Sequence, residues 1–275
     1  MAVVNRTPDS FYPGARSADT GQAVAQVEAA VADGADLVDI GGVRAGRGPE
    51  VGVAEEIDRV VPVVEQVRAA FPDLPISVDT WRSEVAEAVA AAGADLVNDT
   101  WAGHDPALVA VAGRHGLGVV CSHTGGAAPR TDPLRPQYTG HGLDGVVADV
   151  LDTLRVAAAR AVDAGVDPRS VLVDATLDFG KTTWHSVHLL RRTPELVALG
   201  FPTLVALSRK DLVGESLDLP VEQRLEGSLA ATAVAAWLGA TVFRTHDARA
   251  TRRVVEMTAV LRGEVPPARA VRGLA

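Results

Sequence analysis

Cysteine is almost missing from this 275-residue chain: Cys121 is the only one. A disulfide within the chain is therefore excluded, and a reducing, cytoplasmic setting is expected. Aromatic residues make up only 4% and methionines number 2, so the core has to be built mainly from Ala, Val and Leu. No apolar run approaches the ~18 residues of a membrane span, and the opening MAVVNRTPDS lacks the layout of a signal peptide. Basic charge is not in surplus either, with 26 Lys and Arg against 35 Asp and Glu and a formal net charge of −9. That balance argues against a nucleic-acid partner. It still permits a local basic cluster that meets an anionic small molecule.

What the chain has is a repeated unit. Short apolar segments end in polar residues at AVVN (Asn5), LVDIGG (Asp39), ISVDT (Asp79), LVNDT (Asn98), VVCSH (His123), VLVDAT (Asp174), TLVALS (Ser208) and TVFRTH (Arg244, His246). β-Branched runs separated by helix-length stretches read as parallel strands with helical crossovers. Eight of them predict one α/β domain over residues 1–275, a (β/α)₈ TIM barrel, with 266–275 as a C-terminal tail. The active face of such a barrel is the C-terminal end of its strands, where these polar residues fall. The first strand starts beside Met1, which predicts either a late start or a bare barrel floor.

The residue types define a chemistry. Asp79, Asn98 and Asp174 are acceptors suited to the N–H edge of a nitrogen heterocycle. Lys210 and Arg244 supply donors for a ring carbonyl, and an Arg stacked on the ring adds ~0.5–2 kcal/mol. Asn5, Ser208 and His246 are placed to cradle an anion. Each residue alone reads equally well as a capped strand end, but the set at corresponding strand ends reads as a pocket. FGKT (179–182) is no nucleotide P-loop, because position 175 is Ala where that motif needs Gly. His246–Asp247 lacks further ligands at metal spacing, and Cys121 within a strand reads as a buried, inert thiol.

These motifs resemble the dihydropteroate synthases of folate biosynthesis over nearly the whole chain. The resemblance rests on NRTPDSF (5–11), DIGG (39–42), ISVDT (76–80), GADLVND (93–99), FGKT (179–182), SRK (208–210), EGSLAAT (226–232) and FRTHD (243–247), in the family's order. It implies a transferase that joins hydroxymethyl-dihydropterin diphosphate to p-aminobenzoate, releasing diphosphate with the help of Mg²⁺. Carried over, Asp79, Asn98, Asp174 and Lys210 bind the pterin while Arg244 stacks on it, and Asp79, Lys210 and Arg244 serve the chemistry. Asn5, Arg244 and His246 hold the diphosphate, with Asn5 near the metal, and Ser208, Arg209 and Phe11 face p-aminobenzoate. The resemblance also implies a homodimer built on late helices, where GSLAATAVAAWLGA (227–240) offers a smooth surface.

Two places depart from the family. Where it reads DIGGESTRPG, this chain reads DIGGVRAGRG, putting Val43, Arg44, Ala45, Gly46 and Arg47 in the second loop. A lost Arg fork to phosphate removes a contact worth ~1.5–3 kcal/mol, which Arg44 or Arg47 is the candidate to replace. Where the family reads DPGFGFGKT, this chain reads DATLDFGKT, setting Asp178 in a glycine's place near the acceptor. The preferred expectation is a diverged paralogue that keeps a pterin pocket with weak or no synthase activity. The alternative is a fully active synthase with an unusual second loop.

Overall fold

The structure, a computed structural model, describes residues 1–6, 19–131, 138–140 and 142–272. Every predicted strand is present: β1 (Ala2–Asn5), β2 (Val38–Gly41), β3 (Ile76–Asp79), β4 (Leu96–Asp99), β5 (Gly118–Ser122), β6 (Val171–Asp174), β7 (Thr203–Ala206) and β8 (Val242–Arg244). They form one sheet in sequence order, each parallel to the next. A parallel bridge from Ala2 to Thr245 joins the last strand to the first, with Val3 N donating to Thr245 O at 2.9 Å. The chain is a (β/α)₈ barrel.

Helices α1 (Thr20–Ala32), α2 (Val53–Ala70), α3 (Ser83–Ala92), α4 (Leu108–His115), α5 (Asp144–Asp163), α6 (Thr183–Arg191), α7 (Thr193–Val197), α8 (Asp211–Leu217), α9 (Leu225–Trp237) and α10 (Ala248–Leu261) ring the sheet. The short α7 and α8 were not anticipated from the sequence, where their apolar periodicity is too brief to register. Glycines end two of the helices: Gly93 and Gly116 take φ of 102° and 69°, the left-handed conformation that closes a helix without a Cβ penalty.

Strand alternation divides the apolar residues between two layers. Outward-facing Val4, Val38, Ile40, Ile76 and Val78 pack under α1 to α3, and Val97, Val119, Cys121, Val171, Val173, Val205 and Phe243 under the later helices. Each such Val or Leu contributes ~1.5–3 kcal/mol by leaving water. Inside the barrel, Met1 packs with Leu96, Val120, Leu204 and Ala206 near the strand starts, so of the two alternatives the bare floor is not what the structure shows. Cys121 is buried, and burial pushes its thiol up to about 12, as befits an inert side chain. Among the described residues no helix is long and apolar enough to cross a membrane.

Candidate functional site

Above that apolar layer the inward positions turn polar. Asp39, from the middle of β2, is wholly buried and accepts from Ser77 Oγ at 2.6 Å, Asn98 Nδ2 at 3.1 Å and Arg244 Nε at 2.6 Å. Asp79, one inward step higher on β3, accepts from Thr100 Oγ1 at 2.7 Å and Arg244 Nη2 at 3.0 Å. Arg244 thus bridges two carboxylates on neighbouring strands and is held flat between them. Burial pushes the Asp79 carboxyl up to about 7, against the pull of Arg244. Burial acts to lower the Arg244 guanidinium, but Asp39 and Asp79 outweigh it and hold it up.

A cavity of about 470 Å³ opens over this network at the C-terminal ends of the strands. Asn5, Asp79, Asn98, Asp174, Ser208, Arg209, Lys210, Arg244 and His246 all line it, so the structure brings the sequence-selected residues to one place. Asp39 lies beneath the cavity as the support of Arg244 and Asn98. Burial raises the Asp174 carboxyl and lowers the Lys210 amine, each opposed by the other's charge. Lys210 Nζ donates to Leu177 O at 2.6 Å and sits 5.1 Å from the centre of the Phe179 ring. His246 Nδ1 lies 3.0 Å from Ser208 Oγ, and burial pushes its imidazole down to about 4, leaving it neutral at pH 7.

The loop after β6 carries its own framework. Thr176 and Asp178 have φ of 49° and 74°, although neither is glycine. Asp178 accepts from Ser186 Oγ at 3.1 Å and from the Leu212 N–H at the start of α8, also at 3.1 Å. Buried Lys181 donates to the carbonyls of His123 (2.8 Å), Thr176 (3.2 Å) and Phe179 (2.9 Å), tying the β5 and β6 loops together. Burial pushes its amine down to about 7, against the pull of the Asp174 charge. Arg209 does not offer its guanidinium directly to the cavity: Nε and Nη2 fork onto Asp247 at 3.0 and 3.1 Å.

Two expectations need correction or restriction. His123 is not on the cavity, because the alternation that sends Val120 inward and Cys121 outward also sends His123 outward, where Nε2 meets Asp149 of α5 at 2.6 Å. Phe11, expected to face p-aminobenzoate, lies outside the described residues. In the second loop, Arg44 reaches the cavity wall with Val43, Ala45 and Gly46, whereas Arg47 does not line it. The loop's two ends are pinned by Arg59 on Gly42 O and Arg82 on Val51 O, both at 2.8 Å. Sequence reasoning missed Thr100, the residue that orients Asp79, though it closes the LVNDT motif. It also took Lys181 only as part of a motif, since a hub of backbone carbonyls leaves no pattern in side-chain identities.

A closed barrel with buried acceptors facing Lys and Arg donors defines a heterocycle-binding member of the TIM-barrel class. The model of one family, pterin binding enzymes, matches residues 1–246. The chain is 55% identical to inactive dihydropteroate synthase 2 of Mycobacterium tuberculosis over 275 residues, covering 100% of this chain and 86% of that one. It is 34% identical to the dihydropteroate synthase of Bacillus subtilis over 259 residues, 94% of this chain and 86% of the other. A solved dihydropteroate synthase from Coxiella burnetii, in complex with pteroic acid, superposes with a TM-score of 0.86 at 30% identity, covering 96% of this chain and 93% of that one. The chain belongs to the dihydropteroate synthase family of pterin-binding enzymes. Its greater likeness to the relative called inactive sets it among the diverged paralogues of that family.

Proposed function

We propose that the protein binds a pterin through Asp79, Asn98, Asp174 and Lys210, with Arg244 beneath the ring, and forms dihydropteroate very slowly or not at all. One observation carries this reading: the heterocycle half of the cavity is complete, while the second loop meets it with Val43, Arg44, Ala45 and Gly46. Asp174 and Asp79 are buried acceptors for ring N–H groups, and Lys210 stands by as donor to a ring oxygen. Leaving-group departure would spread positive charge into the ring, next to the Asp79 carboxyl. Binding the ring alone does not lower that barrier, however. Loss of two contacts to the departing diphosphate or the acceptor costs rate by ~10²–10⁴.

Asn5, Arg244 and His246, which all line the cavity, are assigned to the anion end. Among the described residues no cluster of three His, Cys, Asp or Glu is arranged for a metal. Asn5 offers one neutral oxygen, which suits a Mg²⁺ that arrives on a diphosphate and keeps most of its own waters. When bound, the ion would neutralise charge on the leaving group. The family resemblance would seat p-aminobenzoate at Ser208, Arg209 and Phe11, but the guanidinium of Arg209 is already taken up by Asp247, Val221 O and Glu222 O. We also propose a cytoplasmic homodimer, supported by the exposed apolar side chains of Val234 and Trp237 on α9 and of Met257 and Leu261 on α10.

Two measurements test the catalytic reading. Calorimetry with 6-hydroxymethylpterin is expected to show binding, and an assay with the pterin diphosphate, p-aminobenzoate and Mg²⁺ is expected to show little or no dihydropteroate. Turnover at the rate of a working synthase from the same family would overturn it and assign the loop's function to Arg44.

A further inference from the structure

The cavity is larger than a bicyclic heterocycle needs, and the wall that bounds its remaining space has an unusual charge arrangement. Beyond Asp79, Asn98 and Asp174, the remaining space is bounded by residues of the loops after β6 and β7, among them Asp178, Phe179, Lys210 and Asp211. Three cations stand there, and all are drawn into the protein's own framework. Arg209 forks onto Asp247, and its Nη1 donates to Val221 O at 3.1 Å and Glu222 O at 3.0 Å. Arg224 donates to Leu219 O at 3.0 Å, to Arg209 O at 3.1 Å and to Asp211 at 2.8 Å. Lys210 is held on Leu177 O. Among the carboxylates, Asp174, Asp178 and Asp211 line the cavity, while Asp247, which follows β8, is taken up by Arg209.

Asp178 is the decisive member. It lines the cavity, and its two oxygens are held in place by Ser186 Oγ and the Leu212 N–H. Arg44 reaches the same cavity from the loop after β2, four strands away from β6 in the sheet order. A negative substituent entering this end meets a fixed like charge in a space from which water is partly excluded.

We propose that Asp178 and Asp211 make this wall select a neutral or cationic substituent on the bound pterin, and reject an aryl carboxylate. The inference rests on the pterin reading above and names the class of ligand the cavity takes. Asp178 and Asp211 are its specificity-determining residues.

The test is calorimetry on the full chain with three matched conjugates, pterin-6-methylene joined to p-aminobenzoate, to p-aminobenzamide and to p-aminobenzylamine, and with 6-hydroxymethylpterin as control. The amide and the amine are expected to bind about tenfold or more tightly than the carboxylate. Asp178→Asn is expected to shrink that gap by about threefold or more, each conjugate's affinity being read relative to the control in the same variant. Asp211→Asn, at a more exposed site, should shrink it less. The wild-type order needs no variant to fold. If the control binds but the carboxylate conjugate is as tight as the amide, the selectivity is refuted and the pterin reading stands. If the control does not bind, both fall.

Discussion

The Nε of Arg244 donates to Oδ2 of Asp39 across 2.6 Å, linking the last strand of the barrel to the second in its interior. Asp39 is wholly buried and takes its hydrogen bonds from this guanidinium, Ser77 and Asn98. Removing one partner of a buried pair strands the other charge. Asp39→Ala is therefore expected to destabilise the fold by ~3–5 kcal/mol, read as a lower midpoint in urea unfolding.

Asp174 is buried at the end of β6, lines the cavity, and already accepts from the Thr176 N–H through one oxygen at 2.8 Å. Asp174→Asn exchanges an acceptor for a donor opposite ring N–H groups. Pterin affinity is expected to fall by ~2–3 kcal/mol, roughly thirtyfold or more in Kd. Equal affinity in calorimetry would remove Asp174 from the pocket's binding set.

Burial, aided by Lys181, pushes the His123 imidazole down to about 4 from 6.5, despite the pull of Asp149. Between those values the unfolded chain holds a proton that the folded chain does not, so this residue's contribution rises with pH and is lost as pH falls toward 4. Asp79, held up near 7, works in the opposite direction, contributing most at low pH and less as pH rises from its ordinary 3.8. The residue-specific measurement is wild type against His123→Gln. The variant's stability should fall less steeply from pH 6.5 to 4, by up to about 3 kcal/mol, and parallel curves would contradict the assignment.

Gly180 has φ of 60°, and a Cβ placed there would come within 1.9 Å of Thr124 O. Neither the backbone angle nor the neighbouring strand end can relax cheaply. Gly180→Ala is expected to cost ~3 kcal/mol or more and to weaken pterin binding by moving Phe179. Thermal unfolding and calorimetry on the same sample check both effects.

Trp237 is 56% exposed on α9, beside the apolar residues of α10. If two copies meet here, Trp237→Glu introduces a charge where area has to be buried. Sedimentation velocity at micromolar concentration should show a dimer for the wild type and a monomer for the variant. A wild-type monomer would refute the proposed homodimer.

How much was legible in the sequence depends on whether the information was carried by pattern or by approach. The strand-end polar residues could be read because period-two alternation and the βα repeat place Asp79, Asn98, Asp174, Lys210 and Arg244 without any knowledge of distances. The same alternation would have removed His123 from the ring had its position been counted from Val120. Asp178 was found by its departure from a motif, but its engagement with Ser186 and α8 was not, since α8 itself gave no signal. Arg209 illustrates the other limit: its identity suggests a ligand contact, and only the fork onto Asp247 reveals a framework role.

Thr176 and Asp178 stand in left-handed backbone at φ of 49° and 74°, in places where the resembled motif has glycine. The bend of this loop has therefore outlived the residues best suited to make it. Its course is held by Lys181, whose Nζ donates to three carbonyls, one of them on the β5 loop, and by Gly180 wedged against Thr124. In such a loop contour and charge are separate inheritances. A lineage can rewrite what the wall attracts or repels while the outline of the pocket stays put, and resemblance of shape then says little about which molecules are still admitted.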